Sequence, residues 1–246
     1  MKPIIYHTGL TPPPSVDLAG FEICYYPVLK VEYETHNIPQ DFSDILHADP
    51  IILLMSKNAV FGLDNWLTHF GLSADFFTNA EFWTVGAKTH ACLNNILGIR
   101  SFYPDEMTGK GVLKVLSKQN NSKVLLISSH DPQQYFIEGL SSAGIIFFHF
   151  PVYKIHIIKS PEFSTYFQNI ESNYIIITSP SSVNGILSSL ALSDLSQLNT
   201  KIISIGPTTS TAICQQGGDV FHESEVQDIN VLYNNLDSLG IESSHH

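Results

Sequence analysis

Positive charge is scarce in this sequence. The 246 residues include 12 lysines and arginines against 23 aspartates and glutamates, and Arg100 is the only arginine. Proteins that bind nucleic acids displace counterions with clustered Lys and Arg, so the composition argues against a nucleic-acid partner. A protein of this composition that acts on an anion must bind it with backbone N–H groups, hydroxyl groups and a few lysines.

Long apolar runs and regularly spaced cysteines are also missing. No stretch approaches the roughly 20 apolar residues of a membrane-spanning helix, so we expect no membrane partner. The three cysteines, Cys24, Cys92 and Cys214, show no metal-ligand spacing, and we expect reduced thiols and no metal site. The N-terminal residues MKPIIYHTGL lack the apolar core of a signal peptide, which predicts a cytoplasmic location.

The stretch KIISIGPTTSTAICQQGG at 201–218 joins a β-branched run, a glycine turn and a helix start. The isoleucine-rich run is typical of a buried strand. Gly206 ends this strand, and Pro207 suits the first turn of a helix. The unpaired N–H groups of such a turn form an anion receptor with the hydroxyls of Thr208 and Thr209. The alternative interpretation is that Thr208 or Thr209 only caps the helix.

The same arrangement occurs earlier in the chain, in FWTVGAKTHACL at 82–93. Three landmarks recur at nearly constant separations, which are 120 residues for Gly86 and Gly206, 123 for Ser56 and Ser179, and 124 for Pro27 and Pro151. Such regularity indicates an internal duplication. Two copies are too few for a solenoid, so we predict two similar α/β units.

Alternating strands and helices predict parallel sheets that are covered on both faces. Strands are predicted at 3–7, 23–26, 51–55, 123–127, 145–150 and 174–178, with extended runs at 28–33 and 152–158. Helices are predicted before Gly20, at 41–48, after Ser56, at 87–97, 105–117, 132–142 and 161–170, after Ser179, and at 227–236. Trp66 is assigned to the core.

The motifs IITSPSSV and IGPTTSTA, with PVYK before them and SKNAV and VGAKTHA in the first half, resemble the uroporphyrinogen-III synthase family. The resemblance implies an α/β fold with two similar parallel-sheet lobes joined by a two-stranded ladder. One lobe would combine residues 1–31 with 155–246, and residues 32–154 would form the inserted lobe. The PVLK and PVYK runs would be the two connecting strands.

The resemblance also implies an activity, that of a cyclising lyase of tetrapyrrole and heme biosynthesis. Members of this family convert hydroxymethylbilane, a linear tetrapyrrole with eight carboxylates, into uroporphyrinogen III. Water is lost, the last pyrrole ring is inverted through a spiro intermediate, and the macrocycle closes without a metal or organic cofactor. The implied partners are the linear tetrapyrrole and, transiently, the preceding pathway enzyme, and a monomer is expected.

The family motifs assign roles to individual residues. Tyr153 in PVYK matches the tyrosine thought to assist loss of the hydroxyl group, and a phenol can donate that hydrogen bond. Without the resemblance, a packing tyrosine in the ladder is the simpler interpretation. The implied substrate-binding residues are Ser56, Gly86, Thr89, Ser128, Ser129, Ser179, Ser181, Gly206, Thr208 and Thr209.

Two positions depart from the family pattern and keep other functions open. Members often have Thr-Arg after the first strand, where this chain has His7-Thr8-Gly9, and an Arg-containing loop where it has the residues 128–131. A catalytically weak paralogue or a two-lobed anion-binding module therefore remains an alternative. His7, His130 and His149 show no triad or metal spacing, so no chemistry is assigned to them.

Overall fold

The computed structural model describes residues 2–18, 20–37, 49–119, 123–159 and 173–236. The helices predicted at 41–48 and 161–170 lie outside these ranges. Internal contacts divide the chain into two units, Met1–Lys30 with His156–His246 and Val31–Ile155. We call them the split unit and the continuous unit.

Short strands and helices alternate along the chain. The strands are β1 (Ile4–His7), β2 (Glu22–Tyr25), β3 (Leu29–Tyr33), β4 (Ile51–Leu54), β5 (Glu81–Thr84), β6 (Lys123–Ser129), β7 (Ile146–Ile157), β8 (Tyr174–Ile177), β9 (Lys201–Ser204) and β10 (Val220–Glu223). The α-helices are α1 (Lys57–His69), α2 (Ala87–Leu97), α3 (Gly109–Leu116), α4 (Gln134–Ser142), α5 (Pro180–Leu190), α6 (Pro207–Gln215) and α7 (Ile229–Asn235).

Each unit is built on one five-stranded sheet. The order is β10-β9-β8-β1-β2 in the split unit, and β3-β7-β6-β4-β5 in the other sheet. All pairings within the split unit, and those among β4 to β7, are parallel. Strands such as β4 and β8 are buried at every position, as expected for a parallel sheet with helices on both faces. The predicted α/β fold with parallel sheets is confirmed.

The strands β3 and β7 carry the chain from one unit to the other. Glu34 N donates to Val152 O at 2.9 Å, and Ile158 N donates to Val28 O at 2.9 Å. Residue numbers fall along β7 as they rise along β3, so the two strands are antiparallel. The two hydrogen bonds are also related by the duplication, because Val28 and Glu34 each lie 124 residues before their counterparts.

A glycine in each of two equivalent helices packs against this pair of strands. A Cβ on Gly62 of α1 would lie 2.7 Å from Val152 O, and one on Gly185 of α5 would lie 2.8 Å from Val28 Cγ2. Each helix thus packs closely on the connecting strand that comes from the other repeat. The duplicated chain therefore uses the same close contact once in each unit.

The cores lie on the faces of these sheets. In the continuous unit, Trp66 and Leu63 of α1 pack with Phe150 and Tyr153 on one face, while Val112 of α3 packs with residues of α4 on the other. The core assignment of Trp66 is confirmed, since its side chain is fully buried. In the split unit, isoleucines of β1, β8 and β9 pack with the last helix.

Several sequence predictions were wrong in detail. No helix occurs between residues 9 and 18, where three consecutive prolines remove backbone donors. The helix predicted from residue 105 begins at Gly109, because the Thr108 side chain caps it. The strand β10 was not predicted, and the two predicted runs at 145–150 and 152–158 form the single strand β7.

Candidate functional site

The candidate residues follow the carboxyl ends of the parallel strands. In the continuous unit, β4 and β6 are neighbours, but the chain leads from β4 to β5 on one side and from β6 to β7 on the other. In the split unit, β1 and β8 occupy the equivalent place. Open α/β sheets bind ligands at such switch points, outside the carboxyl ends of the strands.

Tyr153 and Ser56 form a hydrogen-bonded pair at the switch point of the continuous unit. Tyr153 Oη lies 3.1 Å from Ser56 Oγ, and the Tyr153 side chain is 7% exposed. Ser56 is the N-cap of α1, and its Oγ accepts from Ala59 N at 3.1 Å. The helix predicted after Ser56 is thus capped by Ser56 itself, and the cap also holds the phenol at the positive end of the helix.

Ser128 and Ser129 end β6 beside the half-buried ring of His149. His149 Nε2 lies 3.0 Å from both Ser128 Oγ and Ser129 O. A carbonyl oxygen only accepts, so Nε2 carries the proton and donates it. Burial lowers the pKa of His149, and the bond to Ser129 O opposes this shift in part. The Ser129 hydroxyl donates to Asp131 O at 2.8 Å.

Gly86 begins α2 after β5, and no side chain caps this helix. The buried hydroxyl of Thr84 instead donates to Gly86 O at 3.3 Å. Gly86 meets Met107 so closely that a Cβ there would lie 2.9 Å from Met107 Cβ. Thr89, in the first turn, is 5% exposed and donates its backbone N–H to Gly86 O. This leaves the start of α2 without a side-chain acceptor.

The split unit repeats both kinds of helix start. Ser179 caps α5 by accepting from Ser182 N at 3.2 Å, while Ser181 is exposed. Gly206 begins α6, again with no side-chain cap, and Ser204 Oγ donates to Gly206 O at 3.0 Å. Sequence reasoning missed Thr84 and Ser204, although they are separated by the same 120 residues as the two glycines.

The two threonines after Gly206 differ in exposure. Thr208 is exposed, and Thr209 is 3% exposed within the first turn of α6. The alternative that either threonine caps this helix is wrong, because the N-cap residue is Gly206 and no side-chain oxygen accepts from a backbone N–H group of the first turn. The backbone donors of that turn remain the feature that suits an anion.

A model of the family described as uroporphyrinogen-III synthase HemD matches residues 16–234 of this chain. The chain belongs to the uroporphyrinogen-III synthase family. The matched range contains every candidate residue named above, from Ser56 to Thr209.

Individual relatives agree with this assignment. Porphyrin biosynthesis protein HemD of Ruminiclostridium josui is 28% identical over 165 residues, which are 65% of this chain and 32% of that protein. The match thus spans about a third of the curated relative. The uroporphyrinogen-III synthetase of Helicobacter pylori is 18% identical, with 97% of this chain and 100% of that chain covered and a TM-score of 0.69. A mutant uroporphyrinogen III synthase of Thermus thermophilus is 17% identical, with 98% and 100% covered and a TM-score of 0.63. At these identities the solved structures establish the fold.

The end of β1 carries a buried histidine with two hydrogen-bond partners. His7 Nε2 donates to Thr11 O at 3.0 Å, so Nδ1 accepts from Tyr233 Oη, also at 3.0 Å. Burial lowers the pKa of His7, with the Thr11 bond opposing it in part, which keeps the ring neutral at pH 7. The end of β1 therefore carries an uncharged ring, and Thr8 beside it donates to Ile176 O.

The described ranges contain no group of three or more His, Cys, Asp or Glu side chains arranged to hold a metal ion. None of the helices within them combines the length and apolar character needed to span a bilayer.

Proposed function

We propose that this chain converts hydroxymethylbilane into uroporphyrinogen III, as a lyase that removes water, inverts the last pyrrole ring and closes the macrocycle. Membership of the uroporphyrinogen-III synthase family supports the reaction. The observation that carries the proposal is the Tyr153–Ser56 pair, a phenol donor supported by a helix cap at a switch point.

In the proposed mechanism, Tyr153 is the general acid. Its Oη gives a proton to the departing hydroxyl group as the carbon–oxygen bond breaks, and water leaves. Ser56 Oγ, 3.1 Å away, then donates to the phenolate oxygen, and the positive end of α1 stabilises the same charge. The cation left on the substrate is attacked by the substituted carbon of the last ring, which gives the spiro intermediate, and loss of a proton after rearrangement restores Tyr153.

We propose that the substrate carboxylates are bound at the carboxyl edges of the two sheets. Helix starts without a side-chain cap offer backbone donors and a favourable dipole, and α2 and α6 both begin in this way. The proposed substrate-binding residues are Ser56, Gly86, Thr89, Ser128, Ser129, Ser179, Ser181, Gly206, Thr208 and Thr209. Backbone donors suit a chain with one arginine.

The experiment is incubation with freshly prepared hydroxymethylbilane and separation of the type I and type III products. Spontaneous closure yields only the type I isomer, so a type III product that increases with protein concentration supports the proposal. Type I alone, at the rate without protein, contradicts it.

A second candidate is a catalytically weak paralogue or anion-binding module. The neutral His7–Tyr233 pair favours it, because a cation expected near an anionic substrate is missing. Tight binding of a uroporphyrinogen analogue without type III product would identify this case.

We also propose a cytoplasmic monomer that takes its labile substrate through transient contact with the preceding pathway enzyme. The three free cysteines support a reducing compartment. Light scattering gives the mass in solution, and a faster type III rate when the two enzymes are mixed would report the transfer.

A further inference from the structure

A β-bulge lies in β7 immediately before Tyr153. Ser128 pairs with Pro151, whereas Ser129 pairs with Tyr153, so Val152 has no partner on β6. The pairing of β6 with β7 continues directly after the bulge, because His130 N donates to Tyr153 O at 2.7 Å. An extra residue of this kind changes which face of the sheet the following side chains reach.

The bulge determines the face on which Tyr153 lies. Phe148, Phe150 and Val152 pack on the α1 face, as alternate residues of a strand do. In a regular strand Tyr153 would point to the other face. Because of the extra residue it joins the same cluster as Val152, and this is the face that carries Ser56.

His149 lies on the opposite face and bonds to the partner strand at the bulge. Phe147 packs on that face, and His149 shares its parity. The His149 ring donates to both Ser128 Oγ and Ser129 O at 3.0 Å. These two residues are the ones between which the register shifts, so a single imidazole bonds both sides of the irregularity.

We propose that His149 is a positioning residue that fixes this bulge and thereby aims Tyr153 Oη at Ser56 Oγ. The proposal rests on the function proposed for Tyr153. It requires no contact between His149 and the substrate, and it gives a role to a half-buried histidine at a position where alternation favours an apolar residue.

The test compares His149→Leu, which removes the donor, with His149→Gln, whose amide N–H can replace Nε2. We expect His149→Leu to lower kcat for the type III product about tenfold with KM changed less than about twofold, and His149→Gln to recover kcat to within about threefold. His222→Leu is the matched control, because His222 is also a half-buried strand histidine and should keep wild-type kinetics.

A double-mutant cycle separates positioning from general destabilisation. In a Tyr153→Phe background His149→Leu should change kcat less than about twofold, because the hydroxyl that it positions is already gone. Equal loss in both backgrounds would overturn the proposal. If His149→Leu does not fold, His149→Phe, which keeps a ring and removes the donor, takes its place: an about threefold or larger fall in kcat at constant KM supports the proposal, and wild-type kcat refutes it.

A crystal structure of His149→Leu gives a readout that does not depend on activity. The proposal predicts that Tyr153 Oη leaves hydrogen-bond distance of Ser56 Oγ, and retention of the native separation overturns it. If the wild-type protein makes no type III product, the proposed function fails, while this structural measurement still decides the role of His149.

Discussion

At the scale of single residues, the hydroxyl groups of the candidate residues differ in their surroundings. Tyr153 Oη is bonded to a helix cap, Ser128 Oγ to an imidazole, and Thr208 is exposed at the start of α6. Each arrangement implies a different response to removal of one oxygen atom.

Tyr153→Phe keeps the ring and removes only the donor. We expect kcat for the type III product to fall about a hundredfold or more with little change in KM, because the interaction is made mainly in the transition state. The measurement must subtract spontaneous closure to the type I isomer. Tyr174→Phe is the control, because Tyr174 is also a buried strand tyrosine. It lies at the amino-terminal end of β8, away from the carboxyl ends of the strands where the candidate residues lie. A wild-type rate in Tyr153→Phe would remove the phenol from the mechanism.

Thr208→Val and Thr209→Val test whether hydroxyl groups contribute to anion binding at α6. Each should weaken binding of a uroporphyrinogen analogue by about 1.5–3 kcal/mol, since a hydrogen bond to a charged group is lost. Calorimetry measures the affinity. Thr211→Val is the control for a general effect of a Thr→Val change on α6, because the Thr211 hydroxyl donates to Pro207 O within the helix. Unchanged affinity in both variants would leave the backbone donors as the whole receptor.

The buried His7 predicts a pH dependence of stability. Burial lowers the pKa of His7 below its usual 6.5, so between the two values the unfolded chain binds more protons than the native protein. His7 therefore makes its whole contribution to the free energy of unfolding above about pH 6.5. This contribution falls as the pH drops towards the folded pKa. Urea titrations from pH 7.5 to 5 measure the slope, to which His149 contributes in the same direction. His7→Gln should show a smaller slope, and an equal slope would exclude His7 as a source.

At the scale of elements, the duplication is visible as paired helix starts. The N-caps Ser56 and Ser179 have φ, ψ of −159°, 163° and −162°, 157°, and each caps a backbone N–H three residues on. Two helices with one capping geometry should respond alike to one substitution.

Ser56→Ala and Ser179→Ala should each lower the free energy of unfolding by about 1 kcal/mol, the usual effect of losing a serine cap. Urea denaturation measures both variants. Ser56→Ala should also lower the type III rate, because Tyr153 loses its partner. A Ser56→Ala variant with reduced stability but full activity would restrict the cap to a structural role.

Gly62→Ala and Gly185→Ala test the close contacts of α1 and α5. We expect Gly62→Ala to be destabilising by about 1–3 kcal/mol, since the new methyl group meets the carbonyl oxygen of Val152 at 2.7 Å. Gly185→Ala should be milder, because the corresponding carbonyl oxygen, Val28 O, would lie 3.1 Å from the new methyl group. Thermal unfolding ranks the variants, and a stabilised Gly62→Ala would contradict the packing argument.

The sequence alone predicts the helices and strands whose signals lie in a few consecutive residues. Ser56 and Ser179 precede apolar helices, and the β-branched runs of β4 and β8 stand out by composition, so these elements were predicted correctly. The bulge at Val152 carries no local signal, because it depends on how β7 pairs with β6. The roles of His149 and Tyr233 were missed for the same reason, as Tyr233 lies 226 residues from its partner His7.

At the scale of the whole molecule, the division at residues 30/31 and 155/156 predicts different behaviour for the two units. We propose that the continuous unit, which is the inserted lobe of the sequence analysis, folds independently. A fragment of residues 31–155 has two apolar clusters of its own and should unfold cooperatively in urea, as an autonomous domain does. The matched fragment 156–246 lacks β1 and β2 and should not. A fragment 31–155 without a cooperative transition would contradict the proposed domain assignment.

The pairing of β1 with β8 has a consequence for synthesis on the ribosome. Thr8 bonds to Ile176, 168 residues further along the chain. At about 5–20 residues per second, the first strand must wait roughly 8–35 s for its neighbour to be translated. The continuous unit emerges in full during that interval, so the nascent chain carries a folded domain behind a strand β1 that can pair with β2 but still lacks its partner on the other side. This amino-terminal segment is where we expect a chaperone of nascent chains to bind, with release timed by translation of β8.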